Sequence, residues 1–358
     1  VNDYENARLI KQSGRRIGRQ HLWRRPWEST VAGIFGNDAL ERMALSSIGH
    51  PVPLPILNMM QAQIYDGMLI PVIGGGGFSG LGDALSEFAG GKGQQINFYK
   101  VGVTGAAGFP NTLWYEGKVP VGGATMDALP GGTECSRTTQ GALGQFNPAT
   151  GGDTQHLLGA YCAASAAGNS LLLYDRIFGA EIAASTSGDQ TVTISGGLNR
   201  YAGTGANATS AGNFAMVEIR TALGATAHTW TLTYKDDQNN TAEAATALTG
   251  VSSGIAKRID TTLRYWGIPL NTGDLGVSDV TIIANSASVT GATCLVVGHA
   301  IGFLPIAAVV NYNFSIDYVN QQFAPARIYD DACLAFLELA KPSATATTYW
   351  GQIITGAG

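Results

Sequence analysis

From about residue 186 to residue 310 apolar and polar positions alternate with period two, the spacing of a strand that buries one face. In "HTWTLTY" Trp230, Leu232 and Tyr234 point one way and Thr229, Thr231 and Thr233 the other. "MVEIRT" repeats the pattern, with Val217 and Ile219 inside and Glu218 and Arg220 outside. "KDDQNN" is a polar turn, and "VTIIANSASVTGATCLVV" reads as two strands joined near Thr290 and Gly291. Short alternating strands with frequent turn signals predict a mainly β fold, an antiparallel β-sandwich of jelly-roll-like type.

Elsewhere the pattern changes. "NDALERMALSSIGH" predicts a helix: Asn37 or Asp38 caps it, Leu40, Met43, Ala44 and Ser47 share a face, and Gly49 is the exit. Pro51, Pro53 and Pro55 then force an extended path. "INFYKVGV" (96–103) reads as a strand and "DTQHLLGAYCAASAAGN" (153–169) as a second helix, capped by Asp153, ended by Gly168 or Asn169, with small residues along one side. "LLLYDRIF" (171–178) is a buried strand, and "SSGIAKRIDTTLRYW" (252–266) a helix inserted between strands. "YNFSIDYV" is a strand, and "DDACLAFLELAKP" a short helix with Cys333, Phe336, Leu337 and Ala340 on one side. The longest apolar stretch, "CLVVGHAIGFLPIAAVV" (294–310), is broken by His299, two glycines and Pro305. It reads as two core strands and a bend, not a membrane span.

Four regions follow: a basic N-terminal arm and short helix over 1–60, a Gly-rich mixed region over 61–185, the β-sandwich over 186–310, and a C-terminal strand and helix over 311–358. The N-terminal part is extended and rich in Gly and Pro.

Composition adds a constraint. Only 13% of residues are charged, about half the ~25% usual for a soluble domain, and 48 are Gly. So little charge suits a subunit whose surface is covered by neighbours. The charge is also unevenly placed: residues 1–27 carry about +5 and the rest about −10. Arg15, Arg16, Arg19, Trp23, Arg24, Arg25 and Trp27 therefore form a candidate partner-binding arm, which can meet phosphate or an acidic protein surface. The alternative is a solvated terminus, which the two indoles disfavour. Val1 opens the chain with no charged-then-apolar leader, so no signal peptide is expected.

Catalytic patterns are incomplete. Gly75, Gly77 and Gly80 stand at the G-x-G-x-x-G spacing of a dinucleotide turn, but Pro71 interrupts the strand before them. Gly90, Gly91 and Gly93 shorten the helix after them, and the next strand offers Lys100 and no carboxylate. Gly250, Ser252 and Gly254 make a G-x-S-x-G, followed by Asp274 or Asp279 and His299 in hydrolase order. The neighbouring segments alternate like hairpins, and His299 sits in an apolar strand as a core histidine. His21, His50, His156, His228 and His299 form no metal spacing, and Asp236 with Asp237 lacks a calcium ligand set, which leaves them as a solvated turn. Asp330 and Asp331 stand where helix N-terminal charge is expected. Cys135, Cys162, Cys294 and Cys333 are too scattered for a motif and read as buried apolar residues. No catalytic residue, cofactor or metal is expected.

Three segments carry a resemblance: "GDTQHLLGAYCAASAAGNSLLLYDRIFG", "GNFAMVEIRTALGATAHTWTLTYKDDQNNTA" and "PLNTGDLGVSDVTIIANSASVTGATCLVVGHAIGFLP". In that order, over roughly residues 153–305, they resemble a group of tailed-bacteriophage virion structural proteins. The most specific elements are "YDR" (Tyr174, Asp175, Arg176) and "GD-x-GV" (Gly273, Asp274, Gly276, Val277). The resemblance implies a non-enzymatic capsid decoration, or cement, protein on the capsid surface, made in the bacterial host cytoplasm. Its implied partners are the major capsid protein of the same virion and its own copies, as a homotrimer. No membrane is implied, and nucleic acid is the arm's alternative partner. A tail or fibre protein, the major capsid protein itself and a serine hydrolase are the competing expectations.

Overall fold

Strands dominate wherever the chain is described. The computed structural model describes residues 86–358 apart from 103, 105–107, 124–128, 130, 144–148, 150, 152, 168, 195–196, 206–207, 306–309, 312–313, 318–325 and 340–345. The expected helix at 37–49, the proline segment and the N-terminal arm lie outside these residues. After a π-helical turn, Phe88–Lys92, the strands are β1 (Gly93–Val101), β2 (Asn111–Thr112), β3 (Thr133–Glu134), β4 (Gln155–Ala164), β5 (Ser170–Ile182) and β6 (Gly188–Thr191). There follow β7 (Asn213–Thr221), β8 (Thr229–Asp236), β9 (Glu243–Ala244), β10 (Leu248–Thr249) and β11 (Val277–Asn285). The last are β12 (Ala292–Pro305), β13 (Phe314–Asp317), β14 (Arg327–Ile328), β15 (Leu334–Glu338) and β16 (Thr348–Ala357). Among the described residues no helix is long and apolar enough to cross a membrane.

The strands form three antiparallel sheets. One runs β1-β16-β4-β13, a second β10-β8-β11-β6 and the third β2-β15-β5-β12-β7, with β14, β9 and β3 pairing at their sides. Strands from residues 61–185, 186–310 and 311–358 share the third sheet, which therefore ties distant parts of the chain together.

That third sheet closes on itself. A short rib at 257–260, called the seam here, bridges Asn111 of β2 through Arg258 and Glu218 of β7 through Ile259. Backbone bonds run from Thr112 N to Lys257 O (2.8 Å) and Ile259 N to Pro110 O (3.1 Å) on one side. On the other they run from Ile219 N to Arg258 O and from Asp260 N to Val217 O, both 2.8 Å. Joining the two edges removes unpaired strand backbone and makes a small barrel.

The two faces of the barrel strands then meet different surroundings. Inward go Leu172 and Tyr174 of β5, Met216 of β7, Val296 of β12 and Leu337 of β15, packed with Trp114 and Trp266. Outward go Leu173, Ile177, Val217, Leu295 and Phe336, which join Ile96, Phe98 and Ile353 of the first sheet and Trp230, Leu232 and Val280 of the second in one cluster. Burial on both faces explains why β5 is buried at every position except Glu181.

The β1 region, "LLLYDRIF", the strands either side of Thr290 and Gly291, and the alternation in β8 all stand as expected. Five expectations need correction. Within the expected helix, Gln155–Ala164 forms β4, paired with β16, β13 and β14 and buried at every position except His156 and Tyr161, more than one helix stripe would bury. Residues 330–342 contain β15, buried at all five positions, which one helix stripe could not achieve. Residues 252–266 are the seam and its approaches, and positive φ at Ser253 (56°) and Lys257 (70°) rules out a helix. Glu218 points inward and is fully buried, because β7 has a barrel interior on the face expected to meet solvent. Finally, 294–305 is one strand, β12, which stays continuous by irregularities at Val297/Gly298 and Ala300/Gly302 instead of bending into two.

Candidate functional site

The arm residues Arg15, Arg16, Arg19, Trp23, Arg24, Arg25 and Trp27 lie outside the described residues, as do Gly75, Gly77 and Gly80 of the dinucleotide spacing. Just beyond that spacing, Lys92 pairs with Glu87 at 2.6 Å and with Asp153 at 2.9 Å. Lys100 of β1 is buried and donates to the Glu116 carbonyl at 2.6 Å, and burial lowers its pKa to about 8.

The hydrolase set is not assembled. Ser253 N bonds Gly224 O beyond the C-terminal end of β7, while His299 faces Asn213 at the other end. At strand rise, that separates Ser252 from His299 by roughly 26 Å. Each glycine of the motif has a packing reason instead. A Cβ on Gly250 would come 2.2 Å from His228 Nε2, and one on Gly254 would come 2.4 Å from Ile219 Cδ1. His299 is the core residue expected: Asn213 Oδ1 accepts from its Nδ1 at 2.8 Å, Tyr201 stacks on it at 3.7 Å, and burial lowers its pKa to about 3.

The expected solvated turn at 236–237 is a correction, because both carboxylates are buried and act as backbone caps. Asp236 Oδ1 accepts from Gln238 N (3.0 Å) and Asn240 N (2.7 Å), and Asp237 Oδ1 from Leu275 N (2.8 Å). Asp330 caps no helix; it accepts from Ala149 N at 3.2 Å, and Asp331 lies 4.0 Å from Arg137. All four cysteines are free thiols and buried. Burial pushes Cys294 up to about 12 and raises Cys333, which hydrogen-bonds Cys135.

What the structure brings together is a set of interior polar clusters. Asp175 and Arg176 are consecutive on β5, so their side chains leave opposite faces. Outside the barrel, Arg200 grips Asp175 with two parallel bonds (Nε to Oδ2 2.8 Å, Nη2 to Oδ1 2.9 Å), and Cys333 N adds a third at 2.8 Å. Burial raises the Asp175 pKa, an effect that Arg200 opposes. Inside the barrel, Arg176 Nη1 donates to Glu218 Oε1 at 2.9 Å, and its guanidinium lies 4.5 Å over the Trp114 ring. Desolvation is the largest single effect and works against the charge on Arg176, but the attraction of Glu218, with Tyr174, Cys294 and Tyr115 adding to it, raises the pKa. A third cluster joins Glu338, which accepts from the Tyr349 hydroxyl, to Asn169, whose Nδ2 donates to Tyr349 at 2.6 Å. At the seam, Asp260 accepts from Trp230 Nε1 (2.7 Å), Val251 N (2.7 Å) and His228 Nε2 (2.8 Å).

No sequence spacing announces these clusters, because their partners come from segments distant in sequence; Asp175–Arg200 and Arg176–Glu218 lie 25 and 42 residues apart. The "YDR" triplet stands out in the sequence, but the sequence does not show which partners its charges take. The "GD-x-GV" turn is likewise structural. Asp274 accepts from Tyr234, and a Cβ on Gly276 would lie 1.9 Å from the Ser210 carbonyl oxygen.

The surface offers an apolar strip on the first sheet. Tyr99 (42% exposed) stands opposite Trp350 and is bridged to Val119 (40%), with Val121 (61%) two residues on. No protein-family model matches the chain, and no curated protein or solved structure shows significant similarity to it.

Proposed function

We propose that this chain is a non-enzymatic structural protein of a bacteriophage virion, a capsid decoration protein that binds and stabilises the shell. The observation that carries the proposal is the placement of the residues behind the resemblance. Tyr174, Asp175 and Arg176 pack at the centre of the fold, and Gly273, Asp274 and Gly276 shape a turn against β7 and β8. Their shared pattern is thus a pattern of scaffolding. The jelly-roll-like sandwich belongs to the same reading, supported by the cluster that β5, β7, β12 and β15 share with the other two sheets.

Charge supports it too. The ionisable side chains of the four interior clusters are spent on one another, and the exposed strip of Tyr99, Val119 and Val121 gives a neighbour an apolar contact. A homotrimer would use such a strip to cover open strand edges. The shell partner is the major capsid protein, gripped by Arg15, Arg16, Arg19, Trp23, Arg24, Arg25 and Trp27.

The test is to replace the five arginines of that set by Gln in the full chain and measure co-sedimentation with purified shells. Loss of binding with unchanged thermal unfolding supports the arm; undiminished binding removes it. Imaging of particles locates the chain, and a quantitative gel of virions separates a decoration protein, present in hundreds of copies, from a tail or fibre protein present in a few. Sedimentation as a strict monomer at high concentration counts against the trimer.

A further inference from the structure

The barrel seam is short, and a buried histidine bonds the side chain of its last residue. We propose that His228 carries a proton on both ring nitrogens in the folded protein, and that this imidazolium pins the seam through Asp260 and releases it when alkaline pH removes a proton.

The hydrogen-bond geometry requires the double protonation. His228 Nδ1 lies 3.1 Å from the Thr226 carbonyl oxygen, which can only accept. Nε2 lies 2.8 Å from Asp260 Oδ2. That oxygen also accepts from Trp230 Nε1, and Oδ1 accepts from Val251 N, so both carboxylate oxygens already serve as acceptors. A neutral imidazole has one N–H and would turn a lone pair toward one of these acceptors.

The pinned residue belongs to the rib that closes the barrel. Asp260 N bonds Val217 O of β7, and the preceding residue, Ile259, bonds Pro110 O beside β2. The His228 and Asp260 side chains are both fully buried, so water does not substitute for the pair. Gly250 keeps the space beside Nε2 open. The described groups facing the imidazole are Asp260 from the seam, Thr226 O from its own segment, the Trp230 indole from β8 and the Gly250–Val251 backbone. Arg258, a further charged group, interacts with that carboxylate.

The hydrogen bond to Asp260 raises the His228 pKa above its ordinary value. The contribution to stability is therefore fully present below the ordinary histidine value, about 6.5, and is lost as pH rises through the higher folded value.

Nitrogen-15 NMR of the full chain labelled at histidine tests this directly, with the His228 signals identified by their loss in His228→Gln. The expected result is an imidazolium signature at His228 at pH 6.5, where His299 is neutral. Amide hydrogen exchange at Ile219 and Asp260, corrected for intrinsic rates, should lose protection by up to about tenfold per pH unit as pH rises from about 6.5 to the folded His228 value, and level off above it. Ile353 in the first sheet should not follow. A neutral His228 at pH 6.5, or seam protection that tracks Ile353 at every pH, overturns the proposal. The hydrogen-exchange measurement uses the wild-type chain throughout, so a His228→Gln variant that fails to fold does not blunt the test.

Discussion

Arg176 and Glu218 meet at 2.9 Å inside a closed barrel, both side chains wholly out of solvent. Each was placed there by strand parity, Arg176 on the face of β5 that carries Tyr174, and Glu218 on the face of β7 that carries Met216. Removing one partner leaves the other charge buried and alone. Glu218→Gln should therefore cost about 3–5 kcal/mol in chemical denaturation. Arg176→Met combined with Glu218→Leu should recover most of that loss, since an apolar pair needs no desolvation. A double variant no better than the single one would show that the pair is more than an internal neutralisation.

Acid should weaken the protein through His299. Its folded pKa, about 3, lies below the ordinary value, so its contribution is present above pH 6.5 and lost as pH falls toward 3. The wild type should lose stability over that window by up to ~1.4 kcal/mol per pH unit from this group. His299→Gln should flatten that limb of the stability–pH curve, and an unchanged slope would refute the assignment.

The G-x-S-x-G residues should separate cleanly by substitution. Ser252 sits exposed in a turn, and Ser252→Ala should change stability by less than ~0.5 kcal/mol. Gly250→Ala forces a methyl group against His228 and should cost roughly 1–3 kcal/mol. Equal effects in thermal unfolding would contradict the packing explanation.

The thiols should be silent until the fold opens. Cys135, Cys162, Cys294 and Cys333 are all buried, so a thiol reagent should label none of them in the native protein and all four in denaturant. Rapid native labelling of Cys135 or Cys333 would mean that the barrel interior opens on the labelling timescale.

Much of the architecture was legible where only one face of a strand is buried. Trp230, Leu232 and Tyr234 alternate with threonines because β8 has one wet side, and period two then survives in the sequence. Where both faces are buried the alternation vanishes. β15 and β4 then look like helix stripes, one of large apolar residues and the other of small ones.

By itself, the sequence determined a β-rich chain with few charges, the strand that holds "LLLYDRIF", the turn at Thr290 and Gly291, and the core placement of His299. Tertiary structure alone decided that 257–260 closes a barrel, that Glu218 faces inward, and that His228, Trp230 and Val251 converge on Asp260. The physical reason is range. Periodicity records what each strand does with its own two faces, while closure and buried charge pairing depend on which distant strands become neighbours, and no local spacing encodes that.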